Sequence, residues 1–434
     1  MIKVSPSGAP KIRGVKRIYD EVHGYIELSD VELKIVDSPV FQRLRFIKQL
    51  AAAWYVYPGA THTRFSHSLG VMHIMGLIAS RLLNLGYIYN ADDVQLLRLA
   101  ALLHDIGHTP FSHAIEPFYK HRLYIGHEDL SKIVILENSE IRETLDSYGY
   151  DPKTVVALLE GRYKEPLYNQ LLSGDVDVDR MDYLIRDALH TGVTYGSIDL
   201  QRIIATLVVD GDGNLAILDK GIDALENFYL ARMHMYRAVY YHKTLVGYEM
   251  MLRKIYEYVN EYVEDPLLPK SREDIIRIAR SGEIAVWHDD WFLGVMIDMY
   301  RKGRCRELKE LIEAFFFRKG YKVVVDRSKF DVNPIDIERD RDIAVLQEII
   351  NSMRSRIGVH QIALFVDDIK ILDEDPYVVP RVIVDGRASI PIIDVGNSVV
   401  KSIPKRYHIK RLYAIGSRWQ EVREYLIERG VIDA

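Results

Sequence analysis

An apolar run from Leu96 to Leu103 ends in the dipeptide His104-Asp105, and this feature constrains the folding of the 434-residue chain most strongly. Asn90 can cap the start of a helix together with Asp93, three residues further on. The sequence therefore predicts a buried helix over 90–104. Imidazole nitrogens and carboxylate oxygens are common metal ligands, and eight of the fifteen histidines lie between His62 and His127. We expect a helical fold built around a metal centre.

Composition excludes several classes of protein. A hydrophobic content of 48% allows a large core, and a net charge of −5 argues against nucleic acid as a partner. Cys305 is the single cysteine, so neither an intrachain disulfide nor a cysteine zinc site can form. Residues 1–6 lack the apolar core of a signal peptide, and there is no apolar run of the ~18 residues that a membrane span needs. We expect a cytoplasmic protein without a membrane partner.

Apolar periodicity predicts a mostly α-helical protein with a smaller α+β region at its C-terminal end and short β-hairpins. Besides 90–104, the predicted helices cover 38–51, 66–85, 128–148, 153–160, 176–190, 223–263, 341–357 and 418–429. A hairpin is predicted over 207–218, and Val/Ile runs predict strands at 322–325, 361–366 and 378–384. We divide the chain into a core over 1–320, with its site within about 38–260, and a region over 321–434 that packs on the core.

Four separated residues are predicted to form one metal site. His67, His104 and Asp105 are joined by Asp179, which lies in the acidic segment 175–183. Two imidazoles and two carboxylates suit one divalent ion with open positions for water and substrate oxygen. Taken singly, each residue has a simpler interpretation: His104 could cap a helix, His67 could lie on the surface, and the acidic segment could be a solvated face.

The same motifs resemble those of the deoxynucleoside triphosphate (dNTP) triphosphohydrolases of the HD phosphohydrolase superfamily. The similar segments are 20–24, 41–50, 58–70 and 104–113, and the resemblance is continuous over roughly 15–260. It implies an HD-domain helical bundle that cleaves a dNTP at its α-phosphorus to give a deoxynucleoside and tripolyphosphate. It also implies one divalent ion, with Fe, Mn, Mg, Zn, Co and Ni all open, and Mg accompanying the triphosphate.

The resemblance assigns roles to further residues. His108, His113 and His127 match the family's histidines beside the phosphates, and we expect His113 to protonate the departing 5′-alkoxide. His127 and Glu128 are expected to form an orienting pair, with Glu116 behind them. Simpler interpretations remain open, since His113 and His127 could both be structural.

The phosphates and the sugar are expected to contact a second set of residues. These are Arg64, Arg180, Arg232, Tyr183, Asp187, Tyr240, Gln49 and Leu50. Guanidinium groups can each bond two phosphate oxygens. Leu50 against C2′ would leave a ribose hydroxyl unpaired at a cost of ~1–3 kcal/mol, which favours deoxyribose. Alternatively, Arg180 forms an ion pair within its helix, and the tyrosines are a packed aromatic stripe.

In this family, nucleotides also bind between subunits and order an active homo-oligomer. The residues that match the effector sites are Lys16, Asp37, Gln42 and Arg45 for a guanine nucleotide, and Arg202, Lys220, His242 and Lys243 for an adjoining dNTP. The chain departs from the family at Leu218, where an arginine is usual, and at Tyr241, where glutamine is usual. We expect a GTP or dGTP effector and a dimer or tetramer, although Asp37 could simply precede a helix.

Two other functions compete with this one. An HD hydrolase of nucleoside monophosphates or cyclic dinucleotides would need fewer phosphate-binding arginines than this chain carries. A non-catalytic scaffold that binds nucleotides or single-stranded nucleic acid would not need the full histidine set. We therefore favour dNTP hydrolysis.

Overall fold

The computed structural model describes residues 12–303, 305–375, 378–386 and 388–433. The Met1–Pro6 segment, on which the signal-peptide argument rests, lies outside the described residues. The helices are α1 Asp30–Val36, α2 Pro39–Gln42, α3 Arg64–Asn84, α4 Ala91–Leu103, α5 Glu116–Leu123, α6 His127–Glu137, α7 Ser139–Ser147, α8 Pro152–Leu159, α9 Pro166–Ser173, α10 Val178–Thr191, α11 Leu200–Thr206, α12 Ile222–Met235, α13 Lys243–Tyr262, α14 Arg272–Arg280, α15 Asp289–Lys302, α16 Arg306–Phe316, α17 Arg341–Ile357 and α18 Trp419–Glu428. The strands are β1 Lys16–Asp20, β2 Gly24–Leu28, β3 Leu207–Val209, β4 Leu215–Leu218, β5 Tyr321–Asp326, β6 Lys329–Asp331, β7 Ile362–Lys370, β8 Arg381–Val384, β9 Ala388–Pro391 and β10 Arg406–Ile415.

The protein is mostly α-helical with an α+β C-terminal part, as predicted. Helix α4 lies in the centre, and its residues from Val94 to Leu103 are all buried. Asn90 caps it by accepting a hydrogen bond from the Asp93 amide at 2.8 Å. Helix α3 packs along α4, and α10 packs on α3. These three helices bring the predicted metal ligands to one place.

Three predicted helices are interrupted. The one predicted over 38–51 ends at Gln42 and continues as a 3₁₀ turn only to Phe46, because Ile47 is extended and Lys48 pairs with Thr63. The apolar residues of this segment, Val40, Leu44, Ile47 and Ala51, are nevertheless buried.

The helix predicted over 128–148 breaks at Asn138, whose extended backbone and side chain cap α7. The helix predicted over 223–263 contains a π-helical turn at Tyr236–Tyr240, after which His242 caps α13. In both of these cases a side chain that accepts a hydrogen bond from a backbone amide starts the second helix.

Two sheets build the C-terminal part. In one, β10 is central and pairs antiparallel with β5, β6 and β7, while α17 and α18 pack on the sheet. In the other, the hairpin β3-β4 joins β8 and β9, with Ile217 of β4 opposite Val382 of β8. The helical part and the C-terminal part thus share one sheet.

Strand β10 and the N-terminal hairpin β1-β2 were not predicted from the sequence. Strand β10 carries Arg406, Lys410 and Arg411, which hide its apolar pattern. Its cations are paired with carboxylates, for example Arg406 with Asp368 at 2.9 Å. Within the described ranges, no helix is both long enough and apolar enough to cross a membrane.

Candidate metal centre and active site

The four predicted ligands come from three helices. His67 lies in the first turns of α3, His104 and Asp105 follow the last residue of α4, and Asp179 lies in the first turn of α10. Asp179 Oδ1 is 2.9 Å from His67 Nε2 and 3.7 Å from His104 Nε2. Asp105 Oδ1 is 3.3 Å from His104 Nε2, and Asp105 Oδ2 is 3.7 Å from His67 Nε2. His67, His104 and Asp179 therefore bring ligand atoms within 4.8 Å of one another, and Asp105 lies beside them, where it also contacts His108.

The two histidines present their Nε2 atoms to this group of ligand atoms. His104 Nδ1 donates to the Ala101 carbonyl at 2.8 Å, which fixes the proton on Nδ1 and leaves a lone pair on Nε2 of the neutral ring. His67 Nδ1 lies 2.8 Å from the Asp182 carboxylate. Both Nε2 atoms are buried and make no hydrogen bond of good geometry within the described part of the chain. These residues fit a divalent ion, because metal-bound histidines usually donate their other N–H in this way.

Asp182 was not predicted as a site residue. It is fully buried, accepts from His23 Nε2 at 2.6 Å as well as from His67, and is bound by Arg186. Arg186 also donates to Asp20 at 2.9 Å, so the β1-β2 hairpin is tied to the back of the metal centre. A Cβ atom at Gly70 of α3 would overlap Asp182, so this close approach requires glycine.

The carboxylates make the centre strongly negative. Burial lowers the pKa of His67, but the neighbouring Asp179 and Asp182 outweigh burial and raise the pKa to about 10. Such a site attracts a cation, and a bound metal ion would replace the proton.

The three remaining histidines form a row that leads away from the metal centre. His108 Nε2 is 3.2 Å from Asp105, and its ring stacks on His127 at 4.1 Å. Glu116 joins the other two, because its oxygens lie 3.1 Å from His113 Nδ1 and 2.7 Å from His127 Nδ1. Burial, together with nearby Arg64 and His127, holds the pKa of His108 well below its usual range, so His108 is neutral.

This arrangement corrects one expectation about the orienting carboxylate. His127 and Glu128 were predicted to form an orienting pair with Glu116 behind them, whereas Glu116 itself contacts the His127 ring and Glu128 lines the adjoining cavity. Glu116 lies three residues after His113, so one turn brings these two side chains together, whereas its contact with His127 joins residues 11 positions apart.

Each predicted phosphate-binding arginine holds an acidic side chain. Arg64 bonds Asp105 and, at 2.7 Å, Ser112 Oγ. Arg180 pairs with Asp177, the N-cap of its own helix, as the simpler interpretation proposed. Arg232 donates to Asp175 at 2.6 Å. Asp175 and Asp177 were not among the predicted site residues.

The residues assigned to the sugar also lie close to one another. Asp187 accepts from Tyr240 at 2.9 Å and lies 2.7 Å from His62 Nε2, and Tyr183 packs edge-on against Tyr240 at 5.7 Å. The backbone amide of Gln49 donates a hydrogen bond to the His62 carbonyl at 3.0 Å. Leu50, next in the chain, is partly buried against the core.

The predicted effector residues fall into separate groups on this single chain. Gln42 accepts from Arg45 at 2.8 Å, and the charge of Asp37 acts on Arg45. Arg202 donates to the Lys220 carbonyl at 3.0 Å. His242 caps the helix that Lys243 begins, and Lys16 lies on the edge hairpin β1-β2.

A cavity of about 520 Å³ adjoins the metal ligands. Its wall includes His104, Asp105, Asp179, His127, Glu128, Lys132, Glu160 and Arg162. Lys132 of α6 and Arg162, which follows α8, were not predicted because neither belongs to a motif; the packing of α6 on α8 brings them to the cavity.

Family models match the chain in two adjacent stretches. The HD domain matches residues 64–187, and the HD associated region matches residues 198–273. The first stretch contains all four predicted metal ligands, and HD domains bind divalent metal.

Comparisons with known proteins agree with these matches. An uncharacterized protein of Methanocaldococcus jannaschii is 40% identical over 330 residues, covering 74% of this chain and 62% of the relative. The human deoxynucleoside triphosphate triphosphohydrolase SAMHD1 is 29% identical over 289 residues, covering 58% of this chain and 45% of the relative. The chain thus spans less than two thirds of the length of either curated relative.

A solved structure extends the likeness to nearly the whole chain. A phosphohydrolase of Bacteroides thetaiotaomicron aligns with a TM-score of 0.73 and 27% identity, covering 92% of this chain and 99% of that one. Fold, site and comparisons agree on a metal-dependent hydrolase of the HD class. The chain belongs to the HD-domain, dNTP triphosphohydrolase-like family.

Proposed function

We propose that the protein hydrolyses dNTPs to deoxynucleosides and tripolyphosphate. The observation that carries this proposal is the row of imidazoles His108, His127 and His113, which runs from the predicted metal ligands to an exposed histidine paired with a carboxylate. A phosphate ester with a poor alkoxide leaving group needs both phosphate binding and a proton donor, and this row supplies the donor.

His67, His104, Asp105 and Asp179 would hold the divalent ion, which supplies Lewis acidity toward a phosphoryl oxygen. The protein's own part is positioning and proton transfer. His113 has its Nδ1 engaged by Glu116, so its Nε2 is the atom that holds the proton for the 5′-oxygen. Burial lowers the pKa of His113, and the Glu116 carboxylate acts against burial by favouring the charged ring.

Arg64, Arg180 and Arg232 would bind the triphosphate. Their guanidinium groups already hold Asp105, Asp177 and Asp175, so phosphate oxygens would share or displace these contacts. Tyr183, Asp187 and Tyr240 would contact the deoxyribose, with Gln49 and Leu50 closing the sugar site against a 2′-hydroxyl.

We also propose that the protein binds nucleotide effectors. GTP or dGTP would bind Lys16, Asp37, Gln42 and Arg45, and a dNTP would bind Arg202, Lys220, His242 and Lys243, between the subunits of a homo-oligomer. The C-terminal region would take part in that assembly. A single cysteine supports a cytoplasmic location.

Product analysis tests the proposal. Each dNTP is incubated with Fe, Mn, Mg, Zn, Co or Ni, with and without GTP or dGTP, and the products are resolved by chromatography. Tripolyphosphate and deoxynucleoside are expected from the wild type and not from Asp179→Asn, whereas the exposed control Asp223→Asn should match the wild type.

Other products would favour the competing functions. Orthophosphate, or turnover of nucleoside monophosphates or cyclic dinucleotides, would support a different HD hydrolase. Salt-sensitive binding of nucleic acid without turnover in any metal would support the scaffold. A rate and an oligomeric state that are both unchanged by guanine nucleotide would refute the effector proposal alone.

A further inference from the structure

Asp289 links two segments that carry proposed site residues. It is the first residue of α15, is fully buried, and lies 178 positions after Phe111 and 241 after Lys48. Its Oδ1 accepts from the Phe111 amide at 2.6 Å, and its Oδ2 accepts from the Lys48 amide at 2.9 Å. One carboxylate therefore fixes the distance between these two backbone segments.

The first of these segments has an unfavourable backbone conformation. Phe111 and Ser112 are both left-handed, with φ of 55° and 44°. Neither is glycine, and two such residues in succession persist only where their surroundings hold them. The next residue is His113, the proposed proton donor. The Asp289 bond to the Phe111 amide is thus made at the residue where the left-handed turn begins.

The second segment leads to the proposed sugar contacts. Lys48 forms an antiparallel β-bridge with Thr63, and the backbone amide of Gln49 donates a hydrogen bond to the His62 carbonyl at 3.0 Å. Gln49 and Leu50 follow directly. Helix α3, which carries Arg64 and His67, begins directly after Thr63.

A second buried group binds the same two parts of the protein together. The Arg43 guanidinium is 1% exposed and donates to the His108 carbonyl at 2.8 Å and to the Trp287 carbonyl at 3.4 Å. Trp287 lies two residues before Asp289. Residues 287–289, at the start of α15, are therefore linked to residues 108–111 through both Arg43 and Asp289.

We infer that Asp289 is a positioning residue, which sets the distance between the proton donor His113 and the sugar-excluding residues Gln49 and Leu50. This inference rests on the proposed function. Asparagine has the same shape as aspartate but offers one acceptor oxygen where Asp289 offers two, so one of the two amides would face an NH₂ group. Misplacement of a reacting group by ~1 Å lowers a rate by about 100-fold.

The test compares Asp289→Asn with Asp290→Asn, the adjacent carboxylate whose side chain is 54% exposed. We expect Asp289→Asn to lower kcat for dNTP by roughly 10- to 100-fold, with KM and bound metal within twofold of the wild type. Asp290→Asn should match the wild type. In hydrogen–deuterium exchange, peptides over 46–50 and 109–114 should exchange faster in Asp289→Asn, while peptides within α3 should not change.

An unchanged kcat, or a loss of kcat that follows a loss of metal, would overturn the inference. The wild type provides a measurement that does not need the variant to fold: slow exchange of the Phe111 and Lys48 amides supports the inference, and fast exchange overturns it. If the wild type hydrolyses no dNTP, the proposed function fails, while the exchange data still decide whether Asp289 holds the two segments.

Discussion

Asp182 and His67 form the contact on which the geometry of the metal centre depends: Asp182 Oδ2 lies 2.8 Å from His67 Nδ1. The contact turns Nε2 of the same ring toward Asp179. Asp182 is in turn held by Arg186 and approached by His23. The orientation of a ligand from α3 is therefore set by a carboxylate on α10.

Replacing Asp182 by asparagine should weaken metal binding by about 10- to 100-fold, the usual effect of losing a carboxylate behind a metal-bound histidine. The metal content of purified protein, measured after dialysis against a graded series of chelator concentrations, gives the affinity. Asp223→Asn, an exposed carboxylate in the first turn of α12, is the control. Equal affinities in the two variants would show that Asp182 does not orient the ligand.

That the four predicted metal ligands would lie close together could be anticipated, because each one lies near a helix end that the sequence marks. Asn90 and the apolar run to Leu103 define α4, and His104 follows it. Asp182 could not be predicted in the same way. One short segment carries four aspartates, and spacing alone does not reveal which partner each one contacts. Asp175 contacts Arg232 and Asp177 contacts Arg180. Asp179 faces the metal centre, and Asp182 contacts His67.

Backbone contacts between distant parts of the chain could not be predicted from the sequence either. The apolar spacing typical of a helix continues past Phe46, although the residues there are extended. The helix stops because Lys48 pairs with Thr63 and its backbone amide bonds to Asp289. Tertiary contacts outweigh helix propensity at such positions. The contact between Glu116 and His127 likewise joins residues 11 positions apart, and spacing alone does not predict it.

His113→Gln should lower kcat for dNTP by about 10²- to 10⁴-fold, the usual contribution of a general acid. The bound metal should stay unchanged, because His113 lies outside the ligand set. The loss should shrink for a p-nitrophenyl phosphodiester, since its leaving group departs without a proton. Steady-state kinetics with both substrates measure this. His121→Gln, on the exposed side of α5, is the control, and equal losses with both substrates would contradict the role of proton donor.

Leu50→Ala should raise hydrolysis of ribonucleotides relative to deoxynucleotides. Removing the side chain gives a 2′-hydroxyl room for water, so the discrimination of ~1–3 kcal/mol should fall and the ratio of kcat/KM values should narrow by about tenfold. Paired assays with dGTP and GTP as substrates give the ratio. Leu85→Ala, at an exposed site at the end of α3, should leave it unchanged. An unchanged ratio in Leu50→Ala would refute the sugar assignment.

Glu249 should make the stability of the protein depend on pH. Burial, opposed only in part by Arg253, raises the pKa of this carboxyl from 4.5 to about 7. The folded protein thus holds a proton that the unfolded chain releases, so this group's contribution to the free energy of unfolding decreases as the pH rises from about 4.5 to 7.

Glu249→Gln removes the titrating group, so the variant should be more stable than the wild type at pH 8, and the difference should nearly vanish at pH 5. A gain of ~1–3 kcal/mol is expected at the higher pH. Urea denaturation of both proteins at the two pH values measures it. Glu257→Gln on the same helix, where the carboxylate pairs with Lys254 at 2.8 Å, should show no such gain. A difference that is equal at both pH values would mean that packing, and not ionisation, separates the two proteins, because only an ionising group makes the difference depend on pH.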